Sequence, residues 1–115
     1  INAHATGTSV GDAAEAAAIR NTFAGAPNPP AVSSTKAVHG HTLGAAGALE
    51  LAITVLALAR GVCPPTAHLE DPDVEGIDLI SGTPRSGPVQ AALSNTFAFG
   101  GSNVSLAVRQ YRAAG

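Results

Sequence analysis

The chain holds one cysteine, Cys63, so it has no internal disulfide framework. That fits a reducing cytoplasm. Aromatic residues make up 3% of the sequence and Trp is absent, so any core must be built from Ala, Val, Leu and Ile, which the 45% hydrophobic content allows. Charged residues are 12% of the total and sum to a formal net charge of −2, without the basic stripe that nucleic-acid binders carry. No basic n-region opens the chain, so no signal peptide is read. No low-complexity tract occurs either; the 13 Gly and 8 Pro act as turn markers. Ile1-Asn2-Ala3-His4 lacks a Met and reads as the end of a strand, so a piece of a longer protein is expected. The 115 residues suffice for one small domain, 1–115.

Helices and strands alternate along the chain. Ile1 to Thr8 reads as a strand end running into a loop. Asp12 with Glu15 three residues on has the form of a capping box, and Ala13, Ala14, Ala17, Ala18 and Phe23 recur at helical spacing, which predicts a helix over 13–24. Gly25 and the Pro27, Pro29, Pro30 cluster end it. A short buried strand is expected at 31–35. A second helix is expected from Leu43 to Arg60, stopped by Gly61, with Glu50 its only charge before Arg60. That stretch is near spanning length, but its Gly, Ala and Glu50 favour a helix buried in a globular core over a membrane span. Further strands are expected at 77–80, 91–97 and 104–111, the last two joined by the Gly100-Gly101 turn. Interleaved elements of this kind indicate an α/β architecture.

Three motifs carry the chemistry. Asn2-Ala3-His4-Ala5-Thr6-Gly7-Thr8 and Ser33-Ser34-Thr35-Lys36-Ala37-Val38-His39-Gly40-His41 each set an imidazole among small and hydroxylated residues. Two imidazoles and an ammonium suit a reaction that builds negative charge on an oxygen. His41 stands just before the long helix, whose positive end disfavours an imidazolium and so favours a neutral ring that donates through one N–H. Lys36 lies among Ser33, Ser34 and Thr35 before an apolar segment, which suggests partial burial. A buried ammonium needs a partner, and Glu50, isolated on its apolar helix, is the candidate. The third motif is the glycine-rich turn in Asn95-Thr96-Phe97-Ala98-Phe99-Gly100-Gly101-Ser102-Asn103.

Together the three motifs resemble the C-terminal part of a β-ketoacyl-acyl carrier protein synthase, the condensing enzyme of fatty-acid and polyketide assembly. The first matches the family pattern Asn-Ala-His-Gly-Thr-x-Thr, with Ala5 replacing Gly. The second keeps Lys-x-x-x-Gly-His intact from Lys36 to His41. The resemblance implies a thiolase-like layered αβαβα fold, of which this chain is most of the C-terminal half. It implies that His4 and His41 act in malonyl decarboxylation and that Lys36, paired with Glu50, organises the active-site histidine. Phe99 is implied as a gate whose backbone N–H joins the oxyanion hole; Ala98 replaces a common Gly beside it. Thr6 and Thr8 match threonines that bond the pantetheine arm, though as loop hydroxyls they could equally satisfy nearby backbone.

The implied partner is an acyl carrier protein bearing phosphopantetheine-bound acyl and malonyl groups. A homodimer, or a heterodimer with a chain-length subunit, is implied for the intact protein, with no cofactor, no nucleic acid and no membrane. His39 and His68 receive no role. With Cys63 they match no closed zinc spacing, so no metal site is expected. Cys63 lies at the negative end of a helix, the wrong place for a reactive thiolate, and is expected to be a small buried hydrophobe; the family nucleophile is a Cys upstream of this region. A non-catalytic chain-length partner subunit, or a purely structural fragment of the same fold, are the rival readings.

The sequence predicts that the 115-residue chain alone makes no β-ketoacyl product from an acyl thioester and malonyl-carrier protein, because it holds no activated Cys. Turnover at the rate of an intact condensing enzyme would overturn this.

Overall fold

The first three residues form the strand about which the sheet is assembled. In the computed structural model, which describes residues 1–111, Asn2 N donates to Leu93 O at 2.8 Å and Asn95 N donates to Asn2 O at 3.0 Å. On the other side Ala3 N donates to Ser33 O at 2.8 Å and Ser33 N to Ile1 O at 3.0 Å. Asn2 therefore bridges in parallel to both Ser33 and Ser94. From this centre the sheet runs outward one way through β5 (Ala91–Phe97) to β6 (Asn103–Arg109), antiparallel with Ala91 opposite Arg109 and Phe97 opposite Asn103. The other way it runs through β1 (Ala31–Val32) to β3 (Asp78–Leu79), in parallel. A separate antiparallel pair joins β2 (Val62–Cys63) to β4 (Arg85–Ser86), and Arg85 forks onto Asp78 of β3 at 2.5 and 2.9 Å.

Helices cover both faces. Successive strand residues point to opposite sides, so Ala3 and Asn2 face different helices. Ala3 packs with Val32 and Ile19 of α1 (Ser9–Thr22), flanked by Phe23, Ile77 and Leu79. Asn2 faces α3 (Ala46–Arg60), its amide donating to Glu50 O at 3.2 Å and to Thr54 Oγ1 at 3.3 Å. The result is a helix–sheet–helix sandwich, the layered α/β form expected.

Several boundaries move, each for a local reason. α1 starts at Ser9 with Thr8 as its N-cap, so Asp12 lies inside the first turn and its N–H is already bonded to Thr8 O at 2.9 Å. The expected capping box is therefore absent; Glu15 turns inward instead. The strand expected at 31–35 is only Ala31–Val32, because Thr35 caps a one-turn helix, α2 (Lys36–His39). The helix expected over 43–60 divides: Leu43–Ala45 is a 3-10 turn, with Leu43 in the left-handed region at φ 51°, and the α-helix follows. Strand 77–80 shortens to Asp78–Leu79, and the strand expected at 104–111 is shifted to Asn103–Arg109. The two-residue strands β2 and β4 carry no alternation by which the sequence could announce them.

The described residues cover one side of α3. Only 22% of Leu43–Arg60 is buried, so the helix is not enclosed by the described residues. Its inward stripe is Ala46, Glu50, Thr54 and Leu58, two of them polar, while Leu49, Val55 and Leu56 face outward. By length and composition it is the one helix among the described residues able to cross a membrane. Gly61 closes it in the left-handed conformation (φ 64°, ψ 32°), where an added Cβ would meet Gly87 O at 2.8 Å. Gly61→Ala is expected to lower stability by about 2 kcal/mol or more, since a side chain in that conformation costs roughly 1–2 kcal/mol before any clash. An unchanged melting temperature would refute this.

Candidate active site

The sheet brings His4 and His41 together from motifs far apart in sequence. His4 leaves the central strand one residue after Ala3, and His41 follows α2. Their ring centroids lie 5.4 Å apart at 89°, an edge-to-face contact. Phe97, at the end of β5, packs on His4 with centroids 5.5 Å apart. Leu43 N donates to His41 Nδ1 at 3.4 Å, which assigns the ring proton to Nε2.

His4 is half-buried, and its Nδ1 is enclosed without a hydrogen-bond partner among the described residues. Its proton affinity falls below that of an ordinary histidine. Burial is the largest cause; Lys36 and, more weakly, His41 act the same way, while Glu15 and Glu50 oppose them. A ring with a lowered pKa stays neutral as pH falls through 6.5, where an unfolded histidine already takes up its proton. Folding stability from this group is therefore full above that value and is lost as pH falls through the folded-state pKa.

Lys36 and Glu50 form the expected pair. Lys36 Nζ lies 2.5 Å from Glu50 Oε1, with side chains 5% and 0% exposed. The contact is one of charge: its angle is not that of a hydrogen bond, and Nζ and both carboxylate oxygens have no hydrogen-bond partner among the described residues. The helix backbone beside the pair is fixed by polar groups: Thr54 Oγ1 donates to the Glu50 backbone carbonyl at 2.7 Å, and the Asn2 amide donates to that carbonyl and to Thr54.

The first loop approaches the same region. Thr6 and Thr8 hydroxyls lie 3.3 Å apart. Ala5 avoids the left-handed region, so its extra methyl strains nothing; Gly7 holds the positive φ, at 77°. A cavity of about 440 Å³ opens beside them, lined by Thr6, Asp12, Glu15, Lys36 and His41 among apolar walls such as Ile19 and Val74.

Other expected residues stand apart. Phe99 is fully exposed at the tip of the β5–β6 hairpin, followed by Gly100 and Gly101 at φ 83° and 82°. The aromatic ring brought to His4 is Phe97. His39 braces its own turn, donating from Nδ1 to Gly40 O at 2.7 Å and accepting at Nε2 from Thr35 Oγ1 at 3.0 Å. His68 is exposed at φ 60°. Cys63 is half-buried opposite Arg85, and it lines a smaller cavity that excludes His4 and His41.

Sequence reasoning overlooked Glu15, Asn95 and Phe97 as neighbours of His4. Glu15 carried a usable signal: it shares a helical stripe with Ala16, Ile19 and Phe23, an apolar face on which a carboxylate needs donors.

This layered sheet, with paired histidines beside a buried ammonium, has the architecture of the thiolase-like condensing enzymes. The profile described as "Beta-ketoacyl synthase, C-terminal domain" matches residues 1–70. The chain is 49% identical over 113 residues to 3-oxoacyl-[acyl-carrier-protein] synthase 2 of Mycobacterium tuberculosis, covering 96% of this chain and 26% of that protein. It superposes on a crystal structure of a beta-ketoacyl synthase from Burkholderia phymatum STM815 with a TM-score of 0.87 and 42% identity, over 96% of this chain and 27% of the other. It also matches the ishigamide ketosynthase/chain length factor, with TM-score 0.85 and 33% identity, over 95% and 27% of the two chains. The chain belongs to the β-ketoacyl synthase family. It spans about a quarter of the length of the curated relatives it matches.

Removing one partner of a buried ion pair leaves the other charge stranded, at a cost of about 3–5 kcal/mol. Glu50→Ala in the complete protein is expected to destabilise it on that scale, and the double change with Lys36→Met to cost less than the sum of the singles. Additive losses in a denaturation series would show that the two groups do not interact.

Proposed function

We propose that the complete protein is a β-ketoacyl-acyl carrier protein synthase. It catalyses decarboxylative Claisen condensation of malonyl-carrier protein with an acyl thioester in fatty-acid or type II polyketide biosynthesis. The acyl group rests on a Cys supplied by the N-terminal half of the fold. The malonyl thioester loses CO₂, and the electrons of the broken C–C bond pass to the thioester oxygen as an enolate. The enolate carbon attacks the acyl carbonyl, the Cys thiolate leaves, and a β-ketoacyl thioester is released.

The observation that supports this reading is the edge-to-face pair of His4 and His41, with His41 Nδ1 accepting from Leu43 N. Two neighbouring imidazoles suit a developing enolate oxygen. The lowered proton affinity of His4 favours its neutral ring. In this reading Lys36, held by Glu50, fixes the local field. Thr6 and Thr8 bond the pantetheine arm of the carrier protein, and Phe99 gates acyl entry from the exposed hairpin tip. The enzyme works in the cytoplasm as a homodimer or beside a chain-length subunit.

A second reading, a non-catalytic chain-length partner, is favoured by the likeness to the ishigamide ketosynthase/chain length factor. Both histidines and Lys36, present together, argue for catalysis.

His4→Ala or His41→Ala in the complete enzyme is expected to slow malonyl decarboxylation by about 10² or more, the usual loss of an oxyanion donor. Acylation of the nucleophile is expected to survive in at least one of them. The double variant is expected to be little worse than the poorer single, since groups acting as a unit are not additive. Wild-type decarboxylation rates in both singles would overturn the mechanism.

A further inference from the structure

We propose that His39 is a positioning residue for His41: its ring clamps the glycine joint from which His41 hangs and ties that joint to the strand that carries His4. The inference rests on the reading of His41 as a group that stabilises the enolate.

The joint needs holding. His41 follows α2 through Gly40, whose backbone stands at φ 76° and ψ 176°, a region that essentially only glycine enters. Glycine also has more conformational freedom to lose than any other residue, so the covalent chain leaves loose the direction in which His41 departs from α2. Two hydrogen bonds fix it. Gly40 N donates to Lys36 O at 2.8 Å, and Gly40 O accepts from His39 Nδ1 at 2.7 Å. The second bond sets the plane of the peptide whose nitrogen belongs to His41, because carbonyl and nitrogen share one rigid unit.

The clamping ring is itself held. A carbonyl oxygen can only accept, so Nδ1 carries the proton and the neutral ring accepts at Nε2. The donor is Thr35 Oγ1, 3.0 Å away. Thr35 stands at the N-cap of α2, where a Thr hydroxyl ordinarily accepts from a backbone N–H of the first turn. It makes no such bond, although it is buried. Its hydroxyl is turned instead along the face it shares with His39, four residues on. Behind it Asn2 Nδ2 lies 3.5 Å from Thr35 Oγ1. The donors therefore run in one direction, from Asn2 to Thr35 to His39 to Gly40 O. Asn2 belongs to the strand that delivers His4 two residues later. His39 thus couples the placement of His41 to that of His4, whose ring it meets at 5.4 Å.

Bulk alone does not account for this residue. Its neighbours Ala37 and Val38 are exposed and His39 is only half-buried, so the turn asks for no particular volume there. Both ring nitrogens are nevertheless engaged by the protein.

The test compares His39→Phe and His39→Asn in the complete enzyme. Phe keeps a flat ring and loses both nitrogens; Asn loses the ring and keeps an N–H donor where Nδ1 stood. Malonyl decarboxylation is assayed, and the remaining histidines are followed by NMR with ring-labelled histidine. His39→Phe is expected to lower kcat about tenfold or more, as a displaced catalytic group does, to change KM for malonyl-carrier protein less than about twofold, and to split or broaden the His41 ring signals. His39→Asn, which forgoes only the Thr35 bond, is expected to keep kcat within about threefold of wild type with the His41 signals single. A packing role alone predicts the reverse order, with Phe above Asn. A wild-type rate in His39→Phe, or His39→Asn no better than His39→Phe, would overturn the inference. In the wild type itself the neutral His39 ring must carry its proton on Nδ1; a proton on Nε2 would overturn the inference even if His39→Phe fails to fold. An inactive wild-type enzyme would overturn the functional reading, and the ring signals would still decide whether His39 fixes His41.

Discussion

The buried pair of Lys36 and Glu50 is the constraint around which the rest of this domain is arranged. Two opposite charges out of water are tolerable only if the chain holds them together. That requirement explains why α3 turns Glu50, rather than its leucines, toward the sheet. Asn2, in the middle of the central strand, fixes α3 beside the pair by donating its amide to the Glu50 backbone carbonyl and to Thr54. The buried set includes Asn2, Ser33, Ser34, Thr35, Ser94 and Asn95 alongside the charges. Such a network specifies one arrangement, because any shift leaves polar groups unpaired in a medium of low dielectric.

Much of this was legible in the sequence because the motifs are local. His4, Lys36 and His41 sit in short stretches with fixed spacing, and Glu50 stands out as a single charge on an apolar helix. The pairing of Lys36 with Glu50 follows from the cost of an isolated buried charge alone. The α/β class follows from the alternation of elements. What the sequence hid depends on long-range geometry. Glu15 mimics a capping residue three positions after Asp12, and only the return of the His4 loop over α1 shows where its oxygens go. Phe97 and Phe99 are equally plausible partners for a histidine by position; Phe97 closes β5 and packs on His4, whereas Phe99 lies past the strand's end, exposed at the hairpin tip.

α3 shows what hydropathy leaves out, since it counts apolar residues without regard to which way they point. In the structure Glu50 and Thr54 stand in the sheet-facing stripe, and Leu49, Val55 and Leu56 lie on the side left open in a chain about a quarter of its relatives' length.

The central position of Asn2 has a consequence for how the protein can vary. Its backbone is held on both edges, by Leu93 and Asn95 on one side and Ser33 on the other. A slip of one residue would exchange the faces of Asn2 and Ala3, put an amide against Ile19 and withdraw His4 from His41. An insertion or deletion anywhere in the first four residues is thus equivalent to losing the paired rings, even with every side chain still present.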